Sequence, residues 1–190
     1  KLLKMIKITG GKFKRKQLDT ISKFVRPTSS LKREAFFSVV ESYAMKYSHD
    51  FFNNKIFLDL YAGIGTMGLE AISRGVKSVI FYENNPEVIK ILKKNCMKVC
   101  KREEYKIIEE DLQNINIDIN FQNISVIYID PPYHKYNLND LLNFLQKKIR
   151  SNTIIGVETG IKDDFNIPNR LDLIKQKKYG KTKLSFLVMP

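Results

Sequence analysis

Two short stretches bring together residue types that chemistry can use. The first is Asp130-Pro131-Pro132-Tyr133, which ends the apolar run Ile124-Ser125-Val126-Ile127-Tyr128-Ile129. Proline locks φ, restricts the residue before it and removes competing N–H donors, so the Asp130 carboxylate and the Pro131 carbonyl form a rigid pair of acceptors. Such a pair suits an exocyclic amine, a poor nucleophile because its lone pair is delocalised into a ring. Each acceptor would take one amine hydrogen, aim the lone pair at an electrophile and stabilise the charge that grows on nitrogen. Tyr133 offers an aromatic face for a base taken out of its stack, and with Pro132 it completes the candidate catalytic group.

The second stretch is "IFLDLYAGIGTMGLEAISRG", in which Gly63, Gly65 and Gly68 fit G-x-G-x-x-G between a strand and a helix. Glu83, in "IFYENNP", follows Gly63 by twenty residues at the next strand's end. Alone, this pattern fits a nicotinamide dinucleotide as well as any other adenosine ligand. Asp59 separates them: a carboxylate four residues before the loop repels a pyrophosphate, whereas S-adenosyl-L-methionine presents an ammonium and a sulfonium there. The expected cofactor is therefore S-adenosyl-L-methionine, with its amino-acid end by Asp59, its ribose hydroxyls on Glu83 and its adenine amine on Asp111. The candidate cofactor residues are Asp59, Tyr61, Gly63, Gly65, Glu83, Asn84, Asp111 and Leu112.

The elements that must position these groups read as a βα alternation. Strands are expected near 55 to 60, 78 to 82, 105 to 109, 124 to 129 and 153 to 158, separated by helical patterns. Leu138, Leu141, Leu142 and Leu145 have helical spacing, which puts the tetrad between a central parallel strand and a helix, at the carboxyl edge where open α/β sheets bind ligands. Ahead of this core, "MIKITGGKFKRKQL" reads as a basic hairpin with Gly10-Gly11 as a two-residue turn. "RPTSSLKREAFFSVVESYAMKY" reads as a helix capped by Thr28 or Ser29, with Phe36, Val40, Tyr43 and Tyr47 on one face. Residues 171 to 177 and 183 to 188 read as a terminal antiparallel hairpin joined through Tyr179-Gly180. The expected fold class is α/β, a Rossmann-like, mostly parallel sheet of seven strands, with residues 1–50 as a basic extension packed on a core of 51–190.

Composition narrows the function classes. At 190 residues and 43% hydrophobic, the chain suits one domain with a sizeable core. Its apolar runs fall short of a membrane span, so a soluble, cytoplasmic, monomeric protein is expected. Cys96 and Cys100 read as buried thiols, and His49 and His134 make no metal spacing, so no metal is expected. Of the net charge of +13, residues 1 to 46 carry +9, with twelve Lys/Arg against three Asp/Glu. Clustered cations displace counterions from nucleic acid, and Lys12, Lys14, Arg15 and Lys16 on the hairpin strand, with Arg26 before the helix, are the candidate RNA contacts.

These residues together give the chain a family resemblance. It resembles the RsmD-type methyltransferases through "ITGGKFKRKQL", "RPTSSLKREAFF", "DLYAGIGTMGLEAISRG", "YENNP", "DPPY" and "IGVETG", which cover nearly the whole chain. The resemblance implies a seven-stranded sheet with one antiparallel strand, S-adenosyl-L-methionine as donor, and Asp130 to Tyr133 as the amine site. It also implies transfer to a guanine exocyclic amine of bacterial small-subunit (16S) ribosomal RNA, naked or in a particle, and a natural start at Met5. The lysine-dense "KQKKYGKTK" departs from the family's pattern. The nearest alternative is a DNA adenine-N6 methyltransferase, but about twenty-four residues between Asp130 and the fifth strand leave little room for a target-recognition segment. An NAD(P)-dependent oxidoreductase leaves the tetrad and the basic front unused, and a non-catalytic RNA-binding module leaves Asp59, Glu83 and Asp130 unused.

Overall fold

The computed structural model describes residues 6–20, 29–115, 117–132 and 137–190. The central strands are β3 (Ile56–Leu60), β4 (Ser78–Tyr82), β5 (Tyr105–Ile108), β6 (Ile124–Ile129), β7 (Ile154–Gly160), β8 (Asp172–Tyr179) and β9 (Thr182–Val188). They form one sheet in the order β5-β4-β3-β6-β7-β9-β8, in which β9 alone runs antiparallel to its neighbours. Every residue of β6 is buried, as a strand covered on both faces requires. The order reverses between β3 and β6, whose registers pair Leu60 with Ile129. The loops leaving these two strands therefore diverge from adjacent points and open a crevice. The glycine loop follows β3 and the tetrad follows β6, so topology alone brings the two chemical stretches together.

Helices α2 (Thr66–Arg74), α3 (Pro86–Val99) and α4 (Leu138–Leu145) fill the crossovers. Their starts and stops follow local chemistry. Asn85 caps α3 ahead of Pro86, Asn137 caps α4, and Gly75 ends α2 at φ 109°, a conformation costly for any residue with a Cβ. Alternating strand residues divide the core. Phe57, Phe81, Val126 and Phe186 face one layer, while Leu58, Leu60, Ile127 and Leu187 face the other. Among the described residues no helix is long and apolar enough to cross a membrane.

The front segment shares this core. Helix α1 (Ser30–Tyr47) is capped by Ser29, whose hydroxyl accepts from the Lys32 N–H at 3.3 Å; Thr28 lies outside the described residues. Phe36 and Val40 are buried, but the predicted stripe ends before Tyr47, which is 46% exposed. The Phe36 ring lies 5.5 Å from Phe186 and 5.3 Å from Tyr128, and a Cβ at Gly156 would come within 2.2 Å of it. Gly156 thus lets α1 lie directly on the sheet.

The predicted hairpin needs correction. Strands β1 (Ile6–Lys7) and β2 (Gln17–Leu18) pair antiparallel, but Gly10-Gly11 is no two-residue turn; the connection runs from residue 8 to residue 16. The two glycines permit close approach to α2 instead. A Cβ on Gly11 would sit 1.8 Å from the Ser73 carbonyl oxygen, and one on Gly10 would strike the Arg74 guanidinium. The docking is polar. The fully buried Glu70 accepts from the Thr9 N–H, the Thr9 hydroxyl and the Gly10 N–H at 2.7 to 2.8 Å. Arg74 and the buried Arg33 supply its counter-charge. Lys12, Lys14 and Arg15 consequently lie in this loop rather than on a strand, and Lys16 directly precedes β2. Cys96 is buried but Cys100 only half-buried, and both are free.

Candidate active site

The glycine loop is shaped by backbone demands. Tyr61, Gly63 and Gly65 all have positive φ, 65°, 58° and 85°. Gly65 caps α2 in the left-handed region, and Gly68 packs so closely on β4 that a Cβ would meet the Phe81 ring at 2.3 Å. A non-glycine residue at positive φ is strained, and Tyr61 takes that conformation at the turn out of β3.

Acids occupy the loop's amides. Asp59 Oδ2 accepts from the Gly68 N–H at 2.9 Å, and Glu83 Oε2 accepts from the Gly63 N–H at 2.8 Å. Glu83 Oε1 accepts from the N–H groups of Asn84 and Asn85 at 3.0 and 2.9 Å, and the Asn84 amide donates to Asp111 Oδ2 at 2.8 Å. Of the expected cofactor set, Gly63, Glu83, Asn84 and Asp111 are thus joined by hydrogen bonds along the carboxyl ends of β3, β4 and β5, while Asp59 bonds Gly68 apart from them and Leu112 is buried. One expectation changes. Asp59 is 1% exposed and sits behind the loop, because the first turn of α2 leaves the Gly68 N–H to be satisfied from outside the helix. Burial holds its carboxyl well above the usual carboxylate range; the Gly68 N–H opposes this, while Asp130 and Glu83 add to it. It does not line the crevice as a contact surface.

Asp130 stands across the crevice at the end of β6. Dehydration by its surroundings, followed by the facing charge of Glu158, pushes its pKa up to about 7, with Lys32 pulling it down. Pro131 is half-buried and Pro132 exposed. Tyr133 lies outside the described residues, as do His134 and Arg26.

The sequence reading missed the groups around Asp130. Glu158, on β7, is 4% exposed and accepts from Lys32 Nζ and, at 2.8 Å, from the Tyr128 hydroxyl. Lys32 comes from the first turn of α1, so the front segment contributes a cation to the site. A single acid inside an otherwise apolar strand, "IIGVETG", was the available signal. The described candidate RNA contacts lie elsewhere. Lys12 is 3.9 Å from Glu104, just before β5, and its backbone N–H donates to Ser73 near the end of α2. Those positions belong to the amino edge of the sheet, opposite the tetrad. Among the described residues no group of three or more His, Cys, Asp and Glu is arranged to hold a metal ion.

Known proteins resemble this chain along its length. The family model described as Conserved hypothetical protein 95 matches residues 6–188. The ribosomal RNA small subunit methyltransferase D of Haemophilus influenzae is 29% identical over 180 residues, covering 92% of this chain and 89% of the relative. A candidate methyltransferase of Escherichia coli superposes with a TM-score of 0.81 at 21% identity, covering 97% of this chain and 98% of that one. An RNA methyltransferase from Salinibacter ruber, solved in complex with S-adenosyl-L-homocysteine, superposes with a TM-score of 0.63 at 13% identity, covering 87% of this chain and 94% of that one.

Proposed function

This chain belongs to the family of Conserved hypothetical protein 95, the RsmD-type methyltransferases, and on that premise we propose that it transfers a methyl group from S-adenosyl-L-methionine to the exocyclic N2 amine of a guanine in small-subunit ribosomal RNA. The observation that carries the reading is the state of the glycine loop. Two of its amides already bind the carboxylates of Asp59 and Glu83, with Asp130 close enough to add to the burden on Asp59. Anionic phosphates are unwelcome beside three acids, which argues against a dinucleotide, whereas a sulfonium and an ammonium relieve their repulsion. The half-buried Glu83, with three acceptor sites filled by Gly63, Asn84 and Asn85, keeps one on Oε2 for a ribose hydroxyl, and Asp111 is exposed for an adenine amine. The relatives' names supply the RNA substrate, and the structural neighbour's S-adenosyl-L-homocysteine supports the donor.

S-adenosyl-L-methionine, when bound, supplies a methyl carbon made electrophilic by its sulfonium. The chain's residues prepare the nucleophile. Asp130 and the Pro131 carbonyl accept the two amine hydrogens and turn the lone pair toward that carbon. As the C–N bond forms and the C–S bond breaks, positive charge grows on nitrogen against the Asp130 carboxylate. A carboxylate titrating at about 7 is matched to take the departing proton. Tyr133 stacks on the base, and Lys12, Lys14, Arg15, Lys16 and Arg26 hold phosphates.

Methyl transfer from labelled donor to small-subunit particles, naked small-subunit ribosomal RNA and duplex DNA tests the reading, with the product identified as a nucleoside. Label on guanine in either RNA substrate is expected. Label on adenine in duplex DNA, with none in RNA, would overturn it in favour of a DNA enzyme.

A further inference from the structure

Beside the tetrad lies a cavity of about 320 Å³ whose walls go beyond what methyl transfer alone needs. Pro131, Pro132, Leu138 and Phe165 give it apolar surfaces, while Glu158 and Thr159, at the end of β7, give it polar ones. Its size falls at the small end of ligand clefts, about 300 to 1,000 Å³, and suits one heterocycle. Two aspartates on its rim are engaged: Asp164 accepts from Lys183 at 2.6 Å, and Asp163 accepts from the Gly160 N–H at 3.1 Å. Thr159 is not. Its hydroxyl is buried, with the residue 8% exposed, and has no hydrogen-bond partner among the described residues. Buried hydroxyls are ordinarily paired, so an orphan in a cavity wall marks a place where a ligand supplies the partner. Glu158 is the opposite case. Lys32 and Tyr128 both donate to it, which leaves its remaining lone pairs able only to accept.

Resting on the reading of this chain as a nucleobase-amine methyltransferase, we propose that Glu158 and Thr159 form the wall that reads the base edge, selecting guanine over adenine. The two bases differ beside the reacting amine. Guanine N2 adjoins the N1–H donor, whereas adenine N6 adjoins an N1 lone pair. An acceptor-only carboxylate receives the guanine N1–H and repels the adenine lone pair, and a repelled, unpaired polar edge in a desolvated pocket discriminates strongly. The Thr159 hydroxyl, buried in this structure, bonds the same edge once its side chain turns toward the cavity, and gains the partner it lacks. Apolar walls sandwich the ring and add no preference between purines.

Two substitutions test this on small-subunit particles lacking the modification, with labelled S-adenosyl-L-methionine and the methylated nucleoside identified. Thr159→Val removes an unpaired hydroxyl at nearly constant shape, so Tm should stay or rise and donor affinity should stay within twofold, yet kcat/KM on guanine should fall tenfold or more. Glu158→Gln can donate as well as accept, so the ratio of guanine to adenine methylated should fall at least tenfold. If the unmodified protein methylates guanine while both variants keep its kcat/KM and base ratio, the wall is wrong and the guanine reading stands. If Thr159→Val loses activity only together with Tm and donor affinity, its role is structural and the proposal fails. If the unmodified protein methylates guanine neither in the particle nor in naked small-subunit ribosomal RNA, the functional reading itself fails.

Discussion

The two edges of the sheet carry opposite charge. Where β3, β4, β6 and β7 end stand Asp59, Glu83, Asp130 and Glu158, with Asp111 beyond β5. Where strands begin stand Lys55 before β3, Lys77 before β4, Lys101 and Arg102 with the acids Glu103 and Glu104 before β5, and Arg150 before β7, joined by the docked loop of Lys12, Lys14, Arg15 and Lys16. The net charge of +13 is thus not a uniform coat. The acidic edge suits a cationic donor and a neutral base, and the basic edge suits phosphates. Strands of five residues span about 17 Å, roughly twice the Debye length of about 8 Å at physiological salt. Chemistry and grip should therefore respond separately to mutation.

The strongest break comes at Asp130. Asp130→Ala should lose about 2 to 4 kcal/mol of transition-state stabilisation, seen as a fall in kcat, while calorimetry finds donor binding retained. Normal methylation by this variant would remove the tetrad from the chemistry. Next is Glu83→Ala, which should weaken donor binding by about 1.5 to 3 kcal/mol without changing the salt dependence of RNA binding. Unchanged donor affinity in a folded variant would take Glu83 out of the site.

A pH series sharpens the acidic side further. In the proposed mechanism Asp130 must be ionised to accept its amine hydrogen and face the charge that grows on nitrogen, and its pKa is raised to about 7. In the free enzyme kcat/KM should therefore rise with pH through neutrality and level off above it. Lys32 lowers that pKa, so Lys32→Met should move the rise to higher pH and leave the alkaline plateau; a move to lower pH contradicts the assigned role of the lysine. The smallest effect belongs to the basic edge. Replacing Lys12, Lys14 and Lys16 with Gln should reduce the slope of log affinity for RNA against log salt by about 0.7 to 0.9 for each phosphate no longer neutralised. Donor affinity should not change, and an altered donor affinity would mean the two edges are coupled.

What was legible in the sequence was what neighbours along the chain encode. The apolar run ending at Asp130, the spaced glycines and the acid twenty residues on all sit in contiguous segments, and all reached the carboxyl edge. What was illegible depended on distance or on ambiguity. Gly10-Gly11 reads as a turn because a glycine chosen for positive φ and one chosen for close approach look alike in a sequence; Gly11 is both, at φ 72° and pressed against Ser73 of α2, which lies far along the chain. Glu70 belongs to no local pattern either, since Thr9 and Gly10, which close over it, lie 61 and 60 residues away. Lys32 and Glu158 are separated by 126 residues and belong to no local pattern, so the clamp beside Asp130 emerges only in three dimensions.

The packing of Phe36 on Phe186 also bears on how the molecule comes into being. A chain emerging from its N-terminal side exposes the apolar face of α1 early, yet the strand that covers Phe36 is made about 150 positions later. Until then α1 has no sheet to lie on, and Gly156, which lets it settle, arrives almost as late. Such non-local closure slows folding, because loop entropy is spent before the packing rewards it. During synthesis the apolar face of α1 therefore stays uncovered until the last strand is made. The front segment's polar docking onto Glu70 can form earlier and tether it while the rest of the sheet is completed.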